Sequence, residues 1–308
     1  MLLLVQRIGK LYSNLENHHN HHQPEAVSAS LQAFQSDVSS CINQLASNSR
    51  PGSEFLSFSW IQQCFQLLPI INKAFAKLVV DIDYPMSKWE ANSIEEYFNY
   101  SLSLLELLNS ISSALSHLGQ ARLSLSHALS FVENSPSVAI EHFKAIQLKS
   151  SSKDFKEQKS KEDIGESSFT DKGRAVHQAL REIKSLGFWI CGSVLAGLCG
   201  DAKPYLEMRK FADEFAANLL FNGLDSTVCE AIMEKGCVLK EVKDLRDAAA
   251  SLVSAIIIQN SSEAAEEMQR RLEVYEKLLD GLGEEVDRFF SEVMEGRNEM
   301  LASIRQKQ

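Results

Sequence analysis

The chain has 308 residues, 44% of them hydrophobic, and carries 41 acidic against 31 basic residues for a formal charge of −10. That much apolar content excludes a disordered chain, and the acidic balance, with no long basic stripe interleaved with aromatics, opposes nucleic-acid binding because a phosphate backbone would be repelled. Gly (14) and Pro (6) are sparse, so the turn-rich pattern of a sandwich or barrel is excluded as well and an all-α fold is expected.

The amino terminus, MLLLVQRIGKLYSNLE, sets a short apolar run before Arg7 and Lys10, the wrong order for a secretory signal. With no acid before Glu16, a short basic amphipathic helix, serving as a surface anchor or an organelle transit segment, is the alternative to a flexible segment. HHNHHQP follows, from His18 to Pro24. Four imidazoles in five residues can take a transition metal when neutral, but no Cys, Asp or Glu lies inside the tract to complete a shell, and a solvated linker is the plainer reading. Residues 1–23 are thus a flexible segment containing the histidine tract.

Residues 24–148 form an amino-terminal helical bundle by pattern. Val27, Leu31, Phe34, Val38, Cys41, Ile42 and Leu45 recur at threes and fours up to the breaker SNSRPG. A second helix begins near Ser53 and carries Phe55, Phe58, Ile61, Phe65, Leu68, Ile71, Phe75, Leu78 and Val79, with Pro69 expected to kink or split it near Leu67 and Leu68. The decamer DIDYPMSKWE, Asp81 to Glu90, admits two readings. Tyr84 before Pro85 favours extended backbone, and Ser87 with Glu90 has capping-box spacing, which makes a corner between helices. Alternatively Asp81 and Asp83, in an extended segment, are a metal-binding D-x-D, although no further acidic ligands lie nearby. From about Ser87 to Glu133 the apolar residues, among them Trp89, Tyr97, Leu105, Leu108, Ile111 and Leu118, cover more than one stripe, so this helix should lie centrally as the spine. His117 and His127, ten apart on it, cannot share a metal by themselves. A short helix follows Pro136.

Residues 149–172 are nearly devoid of aliphatics and mixed in charge, a mobile linker with accessible serines. Residues 173–308 then form a carboxy-terminal helical subdomain that packs on the first. Its most apolar window, LGFWICGSVLAGLCG from Leu186 to Gly200, spans roughly 22 Å as a helix at about 1.5 Å per residue, short of the ~30 Å hydrocarbon core. A buried core helix is expected, with peripheral membrane contact through Leu186 to Gly200 as the alternative. Leu272, Tyr275, Leu279, Leu282, Val286, Phe289, Val293 and Met300 form a 3.5-residue seam that calls for a partner helix, expected within the same chain. Six scattered cysteines without a C-x-x-C pair read as reduced core residues in a cytosol-like compartment.

The usual catalytic signatures do not occur: no phosphate loop, no H-E-x-x-H, no G-x-S-x-G, and Gly281-Leu282-Gly283 runs on to Val286 where a dinucleotide fingerprint needs a small residue. The chain is expected not to be an enzyme and to need no cofactor or metal.

Five features resemble the plant BYPASS-related family: Ser59-Trp60 opening one helix; the corner Asp81, Pro85, Trp89 and Glu90; the leucine-rich helix after it; Lys172-Gly173-Arg174-Ala175 leading to the Gly187–Gly200 helix; and Glu285 to Phe290 followed by Gly296-Arg297. The resemblance covers most of the chain outside the histidine tract and the linker. The helical pattern itself is read as an all-α, elongated multi-helix bundle of long antiparallel helices; the resemblance implies a plant-specific, mostly helical protein acting in growth and development and identifies no reaction. It also implies a regulator that restrains a root-made mobile signal arresting shoot growth, or a factor in secretion with exocyst subunits as protein partners. Trp60, Asp81, Pro85, Trp89, Glu90, Phe289, Phe290 and Arg297 are its structural or partner-binding candidates. A cytoplasmic or membrane-associated location is expected, plastid targeting stays open, and oligomeric state is not legible.

Overall fold

A computed structural model describes residues 23–48, 55–146, 170–212 and 219–305. The histidine tract and the charged stretch as far as residue 169 lie outside them, as do the expectations placed there. Among the described residues every regular element is helical: α1 (Gln23–Asn48), α2 (Phe58–Asp81), a 3-10 turn (Met86–Lys88), α3 (Ala91–Ser130), α4 (Pro136–Ala145), α5 (Asp171–Cys199), α6 (Lys203–Ala212), α7 (Leu219–Lys235), α8 (Lys240–Ile257) and α9 (Ser262–Arg305). The all-α expectation is met.

The core is organised around α5. Thr170 starts this helix by accepting a hydrogen bond from the Gly173 N–H at 3.0 Å, and Gly200 stops it in the left-handed region at φ 65°, a conformation that glycine adopts without a Cβ penalty. Every residue from Ser185 to Cys199 is buried, with α1, α2, α3 and α6 packed around the helix. Close approach depends on missing side chains: a Cβ at Gly187 would stand 2.7 Å from the Tyr100 hydroxyl, and one at Gly197 would stand 2.7 Å from Ile61 Cδ1. The apolar window is therefore a core helix, as expected. α3 touches α4, α5 and α9, but the most enclosed element is α5.

α3 and α9, about 60 and 66 Å long at 1.5 Å per residue, lie antiparallel. Arg297 near the end of α9 donates to the Phe98 carbonyl and to Ser101 Oγ near the start of α3, while Arg122 in the second half of α3 pairs with Glu276 in the first half of α9. The α9 seam is buried from Leu272 to Val293, and its partners are α3, α8 and α2 of the same chain.

Three local expectations need correction. Of the two outcomes expected at Pro69, a kink or a split, the split does not occur: α2 runs unbroken from Phe58 to Asp81. The lost i→i−4 bond is outweighed by burial of Phe65, Leu68 and Ile71 around the proline, and the Asn72 side chain adds a bond to the Leu68 carbonyl at 2.8 Å. Ser87 is not a helix cap: it lies in the 3-10 turn, and α3 begins at Ala91 with Glu90 as the capping position and no side-chain capping bond. Asp81 and Asp83 do not share an extended segment, since Asp81 ends α2 and Asp83 has a positive φ of 47°.

Candidate functional site

The corner between α2 and α3 is built around Trp89. Its ring is 6% exposed and meets Phe75 and Tyr97 edge-on at centroid distances of 6.0 and 6.1 Å, while Phe75 and Tyr97 stack on each other at 6.3 Å. The Trp89 indole N–H donates to the Tyr84 carbonyl at 3.0 Å, so one side chain both fills the corner and satisfies a buried acceptor within it. Pro85 holds φ −60°, and Trp89 itself stays extended at ψ 149°. That geometry delays α3 until Ala91 and explains why the capping-box spacing is not used.

The start of α5 closes on this corner. The Tyr84 hydroxyl donates to Glu90 Oε1 at 3.1 Å, Lys172 Nζ donates to the Asp83 carbonyl at 3.3 Å, and the Glu90 carboxylate lies where a side chain at Gly173 would stand. An anion at a helix amino terminus is favoured by the aligned backbone dipoles. Burial pushes the Tyr84 phenol above its usual range, with a bond to Thr170 acting against it, and burial takes the Tyr97 phenol up to about 12. His177 on the next turn of α5 lies 3.1 Å from Glu96 of α3.

Arg297 brings α9 to the same end. Besides its bonds to α3, its guanidinium lies over the Phe98 ring at 5.0 Å, a cation–π contact. Thus Asp81, Pro85, Trp89, Glu90, Lys172, Gly173 and Arg297 converge from four elements. Trp60 does not join them, since it is 21 residues before Asp81 along α2, about 32 Å at 1.5 Å per residue. There it is buried against Phe55 at 4.8 Å, and its backbone N–H donates to Ser57 Oγ. Phe289 packs edge-on against Phe65 at 6.0 Å, in the first half of α2, and Phe290 is partly buried beside it in sequence.

The chemistry of this joint is that of packing. Asp81 and Asp83 are exposed, and among the described residues no group of three or more His, Cys, Asp or Glu side chains could hold a metal ion. All six cysteines are free thiols, and burial raises those in the core, Cys191 to about 12 and Cys64 well above the usual value, which keeps them protonated and poorly nucleophilic.

One cluster gave no sign in the sequence. Asp225 of α7 is 7% exposed and accepts from the Trp189 indole at 2.8 Å, the Tyr205 hydroxyl at 2.5 Å and Arg209 Nε at 2.7 Å. Burial and the neighbouring carboxylate push the Tyr205 phenol well up, and the bond to Asp225 raises Arg209. The hub ties α5, α6 and α7 together.

No family model matches the chain, and no solved structure does. Among curated proteins it is 26% identical to "Protein BPS1, chloroplastic" of Arabidopsis thaliana over 305 residues, covering 89% of this chain and 83% of that protein. It is 25% identical over 234 residues to "UPF0496 protein 4" of Oryza sativa subsp. japonica and again to that of subsp. indica, covering 70% of this chain. The chain spans about half the length, 51%, of the two rice relatives.

Proposed function

Starting from the relationship to BYPASS-related plant proteins that these relatives support, we propose that the chain is a non-catalytic helical regulator or adaptor in plant growth and development. One observation carries the reading. Trp89, Glu90, Lys172, Gly173 and Arg297, all residues of the resemblance, are spent on a packed joint among α2, α3, α5 and α9, and not on ionisable groups arranged around a space for substrate. Such a joint sets the relative placement of long helices, which is what a surface for protein partners requires. The finer role, restraint of a root-made mobile signal that arrests shoot growth, is read out by shoot growth in plants lacking the chain.

A second reading has its own observation. α5 is, among the described residues, a helix long and apolar enough to cross a membrane, with 94% of its 18-residue apolar window buried inside the protein. Undocked, it would give a membrane-associated or secretion-linked factor, with exocyst subunits as partners. The name of the Arabidopsis relative makes a plastid location part of the same test.

The deciding experiment is copurification of a tagged chain from plant tissue with and without detergent, followed by reconstitution from purified components. A defined soluble protein that rebinds the pure chain supports the adaptor. Recovery of partners in detergent alone moves the weight to the membrane reading. Turnover of a copurifying metabolite, lost on changing Asp81→Asn and Asp83→Asn, would overturn the non-catalytic reading.

A further inference from the structure

Where α3 turns into α4, three aromatic rings meet. His127 and His142 have centroids 5.8 Å apart with planes at 86°, and Phe131 touches both, edge-on to His127 at 4.8 Å and stacked on His142 at 5.5 Å with planes 14° apart. Both histidines are exposed, and no described residue hydrogen-bonds or ion-pairs with either imidazole. We propose that His127 and His142 form a two-histidine site for a divalent transition metal of the zinc class, clipping α4 to the end of α3.

The separation of the two rings suits that ligand. An imidazole nitrogen binds zinc at about 2.0–2.1 Å, which puts each ring centroid about 3.2 Å from the metal and the two centroids about 5.2 Å apart at a tetrahedral angle, rising to about 6.4 Å as the angle opens. The observed 5.8 Å falls inside that interval. Phe131 supplies the packing that orients both rings in the absence of hydrogen bonds. A further term is electrostatic: His127 lies in the last turn of α3 and His142 in the last turn of α4, where the backbone carbonyls present partial negative charge that favours a cation. Imidazole is a borderline ligand suited to zinc, copper and nickel, while calcium and magnesium prefer oxygen.

With two protein ligands and no third His, Cys, Asp or Glu among the described residues, water fills the remaining positions. The site is open and exchangeable, unlike a closed structural zinc. Its consequence is local. α4 has ten residues and buries Ala139 and Phe143, little for a helix too short to persist alone. A metal between positions 127 and 142, fifteen residues apart (142 − 127), closes a short loop and restricts the undocking of α4.

The test uses the full chain with His18→Asn, His19→Asn, His21→Asn and His22→Asn, so that the amino-terminal tract does not compete. Zinc chloride is titrated by calorimetry, and amide exchange of α4 is followed with and without zinc. One saturable site, slowed exchange in α4, and at least tenfold weaker binding in both His127→Phe and His142→Phe are expected. Phenylalanine keeps the ring packing and removes the ligand, His142→Gln gives a second ligand-free variant should the Phe variant misfold, and His117→Phe should bind as the parent does. Zinc affinity unchanged in the His127 or His142 variants, or no saturable binding below about 1 mM, overturns the site.

Discussion

The carboxylate of Glu90 occupies the space that a side chain at Gly173 would need: a Cβ there would stand 2.5 Å from Glu90 Oε1 and 3.0 Å from Oε2. Glu90 is held in place by the Tyr84 hydroxyl. In a helix interior Gly→Ala normally gains up to ~1 kcal/mol. Here Gly173→Ala displaces Glu90 from its hydroxyl bond and from the α5 amino terminus, interactions together worth about 1–2 kcal/mol. The substitution should therefore lower the melting temperature slightly in the native chain and raise it in a Glu90→Ala background. A double-mutant cycle in thermal unfolding reads the change of sign, and equal effects in both backgrounds would show that the two residues do not meet.

Trp89 is the ring on which the corner closes. Trp89→Ala removes the contacts with Phe75 and Tyr97 and orphans the Tyr84 carbonyl, and should destabilise by about 3–5 kcal/mol. Trp89→Phe keeps part of the ring packing and loses the indole donor, so a smaller loss of about 1–2 kcal/mol is expected. Chemical denaturation of both variants separates the two contributions. Equal losses would mean that the N–H bond, and not the ring, holds the corner.

These two sites show what a linear reading can reach. Apolar spacing at threes and fours marks α2 and α9, and a window apolar on every face marks α5, because burial leaves its period directly in the chain. The corner is legible as a break, since Pro85 restricts its neighbour whatever surrounds it. Its detail is not legible: the capping-box pattern at Ser87 and Glu90 competes with an indole bond that needs Trp89 extended, and only packing decides between them. Pro69 is the same conflict with the opposite outcome for the helix. Glu90 and Gly173 are 83 positions apart (173 − 90), and nothing local in either predicts the other. Asp225 is harder still, one acid on a helix whose three donors come from two other helices.

That hub sets a further expectation. Asp225→Ala removes the carboxylate that accepts from the Trp189 indole and half-exposed Arg209, and leaves the buried Tyr205 hydroxyl with only the backbone carbonyl of residue 225, at 3.2 Å. Losing the acceptor of a buried donor costs about 1–3 kcal/mol, so a loss of about 2–3 kcal/mol is expected, with amide exchange quickening in α6 and α7 before α3 or α9. Uniformly faster exchange across all helices would argue that α6 and α7 are not separately released.

Glycines divide by surroundings. At Gly192 a Cβ would lie 2.6 Å from Met208 Cβ and 3.1 Å from the Pro204 carbonyl, neither of which can swing away, so Gly192→Ala should cost about 1–3 kcal/mol by forcing α5 and α6 apart. Gly281 and Gly283 on α9 have nothing within 4 Å of such an atom, and Gly281→Ala should stabilise by up to ~1 kcal/mol through helix propensity alone. Melting temperatures moving in opposite directions are the expected result. A loss at Gly281 would reveal a close contact on that face of α9.

Glu182 of α5 supplies a pH dependence. Its carboxyl is pushed above the ordinary range by burial, against the bonds it accepts from Gln35 at 2.8 Å and Gln178 at 3.3 Å. The folded state therefore holds the proton to higher pH than the unfolded chain does. The stability associated with this group is full below the unfolded pKa and falls as pH rises through the folded one. Glu182→Gln keeps the oxygen acceptor and cannot ionise. The variant should melt higher than the native chain at neutral pH, and the gap should close as pH falls towards the ordinary carboxylate range. A gap that stays constant across that range would show that Glu182 titrates alike in the folded and unfolded chain.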